Sequence, residues 1–403
     1  MDILVKKFGG TSLADIEKMK KVADLIKRDL DNGKSVVTVV SAMGRRGNPY
    51  ATDSLIDMCK QACKAGVSPR EMDILMSCGE IVSGSVLVHV LKEMDIEATL
   101  LTGGQAGIIT DDNYGSANVV EVNPKRILTE LENGRVVIIT GFQGISREGE
   151  ITTLGRGGSD TSAVIVGDAL CVDTVEIYTD VDGIMTADPK IQPNAKTIQN
   201  INYDEVFQMA EKGAKVIHPR AVEIAKSSNI LLKIKNTLKE SEGTSICYSR
   251  GKDTYNSQKK SLITAVAYKE GITQVVAQNS DMLQFSKVLD QLRESGVSID
   301  MINFFVSQKV FTIDSENVQK TRSVFGQHEM KYEIVEECCK VTVIGERMTG
   351  IPGVMSKVVA ALNKANVEIL QTSDSHMTIS CLVKKDDLKK AVNSLHDEFM
   401  LSK

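Results

Sequence analysis

Ile3-Leu4-Val5-Lys6-Lys7-Phe8-Gly9-Gly10-Thr11-Ser12 is a short apolar strand that runs straight into a paired-glycine turn. Past the turn, Met19, Val22, Ala23, Ile26 and Leu30 recur at spacings of three and four, which marks one face of a helix. Ser12, with Asp15 three residues on, reads as an N-cap pair for that helix. Ser35–Ser41 (SVVTVVS) is a nearly unbroken β-branched run, as a strand covered on both faces requires. Further strands are expected at Glu97–Leu101, Arg135–Thr140, Thr174–Tyr178 and Ile230–Lys235, with helical stretches between most of them. Strand–helix alternation of this kind predicts a mainly parallel sheet with helices on both faces, an α/β three-layer sandwich over residues 1–248.

The rhythm then changes. Residues 249–260 (SRGKDTYNSQKK) are polar and aperiodic and read as a linker. A strand at Ile272–Gln278, a helix at Met282–Glu294, strands at Ser298–Val306 and Val310–Asp314 and a helix at Val318–Phe325 follow. The pattern returns as strand Lys340–Gly345, helix Val354–Ala365, strands Val367–Thr372 and Thr378–Val383, and helix Leu388–Phe399. Each copy is a βαββα unit of ferredoxin-like size, the first in 261–336 and the second in 337–403. The second copy has almost no chain left for a closing strand. The early strand Ser261–Tyr268 is therefore expected to cross over and complete it, interlocking the two units.

Composition excludes several classes. The chain has 403 residues, 42% hydrophobic and 25% charged, an ordinary globular balance. A formal net charge of −5 provides no global basic field for nucleic acid or an anionic membrane. Aromatics at 4%, with no Trp, argue against a base-stacking platform. The first residues show no secretory pattern, and no run approaches the roughly 18 apolar residues of a membrane helix. Eight scattered cysteines without paired Cys-x-x-Cys motifs suit a reducing cytoplasm and make a zinc site unexpected.

Three loops carry chemistry. In Lys7–Ser12 the glycines let backbone approach a polyanion, the helix start offers unpaired N–H groups, and Lys7 adds a point charge. Leu154-Gly155-Arg156-Gly157-Gly158-Ser159-Asp160-Thr161-Ser162 again precedes a helix and combines an anion-binding turn, an Arg fork and an Asp at a helix start. Tyr178-Thr179-Asp180-Val181-Asp182-Gly183-Ile184-Met185-Thr186-Ala187-Asp188-Pro189-Lys190 follows a strand, at the carboxyl edge where open sheets bind ligands. Its Asp-x-Asp-Gly fragment is not a calcium loop, because the twelfth position is Ile191 rather than Glu. Glu80 sits in an apolar, small-residue stretch and needs a positive partner if buried. His218 reads as structural, and Lys215 as a further phosphate partner.

These loops, in this order, resemble the aspartokinases over nearly the whole chain. The resemblance implies an amino-acid-kinase sandwich followed by two interlocked ACT units, and phosphoryl transfer from ATP to the side-chain carboxylate of L-aspartate. It implies that Lys7 contacts the transferring phosphoryl group and that Asp160 orients Lys7 and Lys215. Gly9, Gly10, Thr179, Asp180, Met185, Lys190 and Lys215 fall on the nucleotide side. Ser41, Thr52, Glu80, Arg156, Gly157, Gly158 and Ser159 fall on the aspartate side. Mg²⁺ is expected with ATP, without a dedicated protein site. Met185 stands where the family often has Tyr, and Gly44–Tyr50 lengthens the loop before Thr52. The ACT pair implies an amino-acid effector and a homo-oligomer, a dimer or a larger assembly of dimers. Where lysine- or threonine-sensitive members carry Pro-Gly in the first copy, this chain has Asn279–Gln284. Meso-diaminopimelate is the expected effector and lysine the second choice, at Asp281, Met282, Ile351, Gly353, Val354, Ser373, Asp374 and His376. The alternatives are another carboxylate kinase of the same fold, or a non-catalytic amino-acid sensor.

Overall fold

The structure is a computed structural model that describes residues 1–62, 66–214, 216–248, 262–278, 282–346, 348 and 351–402. The linker at 249–260, and with it Ser261, lies outside the described residues. The chain divides into two units. The first holds Met1–Ile184, Thr197–Ala210 and the described residues from 216 to 248. The second holds Met185–Lys196, Glu211–Ala214 and the described residues from 262 on.

The first unit runs β1 (Ile3–Phe8), α1 (Ile16–Asp31), β2 (Ser35–Val40), α2 (Thr52–Ala62), α3 (Pro69–Lys92), β3 (Ala98–Leu101), β4 (Ile108–Thr110) and β5 (Val119–Val122). It continues with α4 (Lys125–Glu132), β6 (Val136–Thr140), β7 (Gln143–Ser146), β8 (Ile151–Thr153), α5 (Gly158–Ala169) and β9 (Thr174–Thr179). It closes with β10 (Asn200–Ile201), α6 (Tyr203–Glu211), α7 (Pro219–Ser227), β11 (Leu231–Asn236) and β12 (Thr244–Ile246). The large sheet has the order β10-β12-β11-β9-β1-β2-β6-β3 and is parallel except where β11 meets β12. β2 and β6 are buried along almost their whole length, which is why they read as continuous apolar runs. On α1, Met19, Val22, Ala23 and Ile26 are buried, the face that the spacing predicts.

Three local expectations change, and one helix start is located. The N-cap of α1 is Asp15, whose carboxylate accepts from the Lys18 N–H, while Ser12 turns inward to bond Thr237 at 2.6 Å. A second sheet, β5-β4-β7-β8, is built from strands of three or four residues, too short to register as alternation. Helix α3, with 24 residues, is long and apolar enough by length and composition to span a membrane, against the expectation of no such run. It nevertheless buries Asp73, Ser77, Glu80 and Ser83 against protein partners, as a core helix does. Finally, α5 begins at Gly158, so Ser159 lies inside the helix and its N-cap is Gly157.

The second unit runs β13 (Ile263–Gln278), α8 (Met282–Glu294), β14 (Asp300–Phe304), β15 (Gln308–Asp314), α9 (Val318–Gln327), β16 (Tyr332–Gly345), α10 (Val354–Lys364), β17 (Gln371–Asp374), β18 (Thr378–Lys384) and α11 (Leu388–Glu398). Its sheet order is β14-β15-β13-β16-β18-β17. β13 is one continuous strand that passes through Gly271 at φ +70°. Its first half, Ile263–Lys269, pairs with Lys340–Gly345, and β18 continues that half of the sheet. Its second half, Ile272–Gln278, pairs with β15 and with the start of β16. The two ferredoxin-like units are thus interlocked through two shared strands. β17 begins four residues later than Val367, because Val367 is used to close α10, its N–H donating to the Leu362 carbonyl.

Candidate active site

β1, β2, β6 and β9 all end at one edge of the large sheet, and the two strands flanking β1 are β2 and β9. The chain thus builds outward in both directions from β1, the arrangement that opens a ligand crevice beyond the strand ends. The loops after β1 and β9 carry the first and third motifs, while the Gly155–Asp160 motif follows β8 of the small sheet and leads into α5.

Period-two alternation puts Lys6 and Lys7 on opposite faces of β1. Lys7 Nζ lies 2.7 Å from Asp160 Oδ1, with both side chains 12% exposed. Asp160 stands in the first turn of α5, and its other oxygen accepts from the His218 backbone N–H at 3.3 Å. Lys6, on the far face, is buried among Asp29, Glu176 and Tyr178. Burial works to raise the pKa of Glu176, but Lys6 and Lys235 outweigh it and hold the carboxyl below its ordinary value. The dipeptide Lys6-Lys7 thus divides its labour, one cation stabilising the sheet and the other facing the crevice.

The turns are forced by close approach. A Cβ on Gly10 would collide with the carbonyls of Ala42 and Gly44, and the Gly44 N–H donates to the Gly10 carbonyl at 2.9 Å. Gly157 adopts φ +67° with the His218 ring over the place a side chain would fill. This is the structural role that the sequence suggests for His218. Burial keeps that imidazole below its usual pKa.

Glu80 is 3% exposed. Its Oε1 accepts from the Ala42 N–H at 3.0 Å, and its Oε2 has no partner among the described residues. Burial pushes the carboxyl up to about 8, against the weaker pull of the Ala42 amide. Around it, the Ser83 hydroxyl donates to the Ser41 carbonyl at 2.7 Å, and Gly79 lets α3 approach Ala42 and the Tyr50 carbonyl. Ser41, Glu80 and the loop leading to Thr52, the first residue of α2, are thereby brought together. Ser159 is buried beside Gly141 at the end of β6, Gly158 packs on Phe142, and Arg156 is exposed.

On the β9 side, the Thr179 hydroxyl donates to Asp180 Oδ1 at 3.2 Å, and Arg45 pairs with Asp180 Oδ2. Spacing does not single out Arg45; its signal is only the lengthened Gly44–Tyr50 loop. Asp73 is also absent from the motifs. It is fully buried and accepts from Gly115 N–H, Thr153 N–H and the Thr153 hydroxyl, tying α3 to the small sheet.

Met185, half-buried, and Lys190, exposed, belong to the second unit, while Lys215 lies outside the described residues. Met282 is exposed at the start of α8, and Ile351 is exposed ahead of α10. Gly353 caps α10 at φ +95° and Val354 is buried. Ser373 and Asp374 lie on the outer strand β17, with His376 exposed in the following turn. Asp281 lies outside the described residues. Among the described residues no group of three or more His, Cys, Asp or Glu side chains could hold a metal ion.

The profile of the amino acid kinase family matches residues 2–236, and that of an ACT domain matches residues 333–397. Aspartokinase 1 of Bacillus subtilis (strain 168) is 39% identical over 405 residues, covering all of both chains. The chain belongs to the aspartokinase family. Among solved structures, E. coli aspartokinase III in complex with aspartate and ADP superposes with a TM-score of 0.79 at 26% identity, covering 99% of this chain and 100% of that one. The same aspartokinase with lysine and aspartate gives 0.75 at 26% identity, with the same coverage. As an aspartokinase, the chain is an ATP-dependent kinase acting on a carboxyl group.

Proposed function

We propose that this aspartokinase transfers the terminal phosphoryl group of ATP to the side-chain carboxylate of L-aspartate, giving 4-phospho-L-aspartate. The product is an activated acyl phosphate for the lysine, diaminopimelate, threonine and methionine pathways. The observation that carries the substrate reading is the lone Oε2 of Glu80. A buried carboxylate without a counter-charge is costly, and an α-ammonium group supplies the missing cation. Ser41, Thr52, Arg156, Gly157, Gly158 and Ser159 complete the aspartate side, with the Arg156 fork suited to a carboxylate.

Bringing a carboxylate up to a phosphate opposes two anions, so the protein's task is positioning and charge stabilisation. Lys7, steadied by Asp160, faces the transferring group, and Gly10 offers its backbone N–H to it, whereas the Gly9 N–H already donates to the Tyr178 carbonyl at 3.1 Å. Thr179, Asp180, Met185, Lys190 and Lys215 form the nucleotide side. No general base is required, because aspartate is already ionised near neutrality. A Mg²⁺ ion arriving with ATP would take one or two carboxylates at most, with Asp180 a candidate. When bound, that ion neutralises phosphate charge.

The ACT units are read as an effector site for meso-diaminopimelate, with lysine second, drawing on the polar Ser373, Asp374 and His376 and on Met282, Ile351, Gly353 and Val354. Ile302, Phe304, Phe305 and Val306, exposed on and after the outer strand β14, support self-association into at least a dimer. The seven described cysteines are free thiols, in keeping with a cytoplasmic setting. ADP release over a panel of carboxylates, with acyl phosphate trapped by hydroxylamine, tests the reaction; no hydroxamate from aspartate would reject it. Inhibition assays with diaminopimelate, lysine and threonine separately test the effector, and no response to diaminopimelate would reject that choice.

A further inference from the structure

The second unit contains two pieces of chain that leave the first unit and return to it: Met185–Lys196 and Glu211–Ala214. The first carries Met185 and Lys190, and the second leads into Lys215. Within the second unit both lie against one structural feature, the first half of β13. The Val266 N–H donates to the Thr186 carbonyl at 2.8 Å, so the loop is held as a backbone partner of the strand. Two residues along, the Tyr268 hydroxyl donates to Asp188 Oδ2 at 3.0 Å, while Asp188 Oδ1 accepts from the Lys190 N–H at 2.9 Å. Between them Ala187 is 4% exposed, part of the hydrophobic core formed with Val266 and Leu395. The Thr186 hydroxyl accepts from the Lys196 N–H at 3.0 Å and lies 2.9 Å from Nε2 of His396, a fully buried side chain on α11. On the other segment, Gly213, at φ +113°, sits directly on the Tyr268 carbonyl, where a Cβ would collide.

Three consecutive loop residues, 186 to 188, are therefore fixed by hydroxyl, core and carboxylate contacts to elements of the ACT sheet and its last helix. We propose that Tyr268 and His396 are positioning residues for nucleotide binding: acting through Asp188 and Thr186, they set the register of the loop that presents Met185 and Lys190. This rests on reading that loop as the nucleotide side. The device uses groups that stay in one state near neutrality. Burial and Asp188 push the Tyr268 phenol up to about 12, so it remains a donor, and burial keeps His396 below its usual pKa, so the imidazole is neutral.

The test uses the full-length chain and the variants Tyr268→Phe, Thr186→Val and Thr186→Ser. Tyr268→Phe keeps the ring and removes one hydroxyl; Thr186→Val keeps shape and removes the bonds to both His396 and the Lys196 N–H; Thr186→Ser restores that hydroxyl. Dissociation constants for a non-hydrolysable ATP analogue are measured by calorimetry, beside KM for ATP and for aspartate. Tyr268→Phe and Thr186→Val are expected to weaken nucleotide binding about tenfold each, with KM for aspartate within twofold of the parent and Thr186→Ser within twofold on both. Unchanged nucleotide affinity in the two hydroxyl-deleting variants overturns the proposal, as does an equal loss for both substrates accompanied by a lowered Tm. A parent that binds the analogue yet makes no acyl phosphate from aspartate rejects the substrate reading alone, since the calorimetric result still decides the positioning role.

Discussion

Lys7 meets its counter-charge in the chain itself, 2.7 Å away on Asp160, whereas Glu80, more deeply buried, has an amide on one oxygen and nothing on the other among the described residues. The first side is ready before any ligand arrives. On the proposed reading, the substrate's ammonium group completes the second. On that reading, the difference separates catalysis from selection: a preset cation stabilises charge that develops on phosphate, and a lone carboxylate discriminates among acids by demanding an ammonium group.

The largest effect is expected at the paired side. Replacing Lys7 with Ala should lower kcat about 10³-fold, the order seen when one preorganised donor is lost, with little change in KM for aspartate. A matched loss in aspartate affinity would erase the distinction drawn here. Next comes Glu80→Gln, which keeps the Ala42 contact and removes the charge. Loss of one charge-assisted bond of about 3 kcal/mol predicts roughly a 100-fold fall in kcat/KM for aspartate, with KM for ATP unmoved.

The pH dependence sharpens the same contrast. Without substrate, Glu80 holds its proton up to about 8 because burial disfavours the anion. Pairing with an ammonium requires that proton to leave, so aspartate affinity should rise about tenfold per unit between pH 6 and 7 and level off beyond 8. Calorimetry in buffers of different ionisation enthalpy would register the released proton, and a pH-independent affinity would contradict the assignment. For stability the sign is opposite. The folded pKa lies above the ordinary 4.5, so this contribution is complete below 4.5 and is lost as pH rises through 8. The ligand-free protein should therefore lose Tm between about pH 4.5 and 8 and level off above that, and Glu80→Gln should flatten the loss. The smallest effect belongs to Arg45→Ala. The Arg45–Asp180 pair is largely exposed, so about a threefold rise in KM for ATP is the most it should cause.

Legibility tracked the size of each feature. Long β-branched runs such as Ser35–Val40 and the paired glycines declared the parallel sheet and its loops, because burial on two faces and close backbone approach leave few residue types eligible. Glu80 could be suspected from its apolar neighbours, and Asp73 carried the same signal without a motif to draw notice. Lys6 was hidden by its neighbour: adjacent lysines look equivalent until a strand sends them to opposite faces. The short strands of the small sheet had too few residues to show a period. The attachment of residues 185 to 196 to the second unit was invisible for a different reason, since a loop's motif records what it binds and not what holds it.

β13 and β16 each thread both ferredoxin-like halves, one entering the fold where the other leaves it. Neither half is a cassette. A gene fusion or deletion made at the apparent midpoint of the repeat would strand one sheet without a member and leave the other with a surplus. Exchange of effector specificity between relatives should therefore proceed by point substitution at loop and helix starts, or by swapping the whole pair at once.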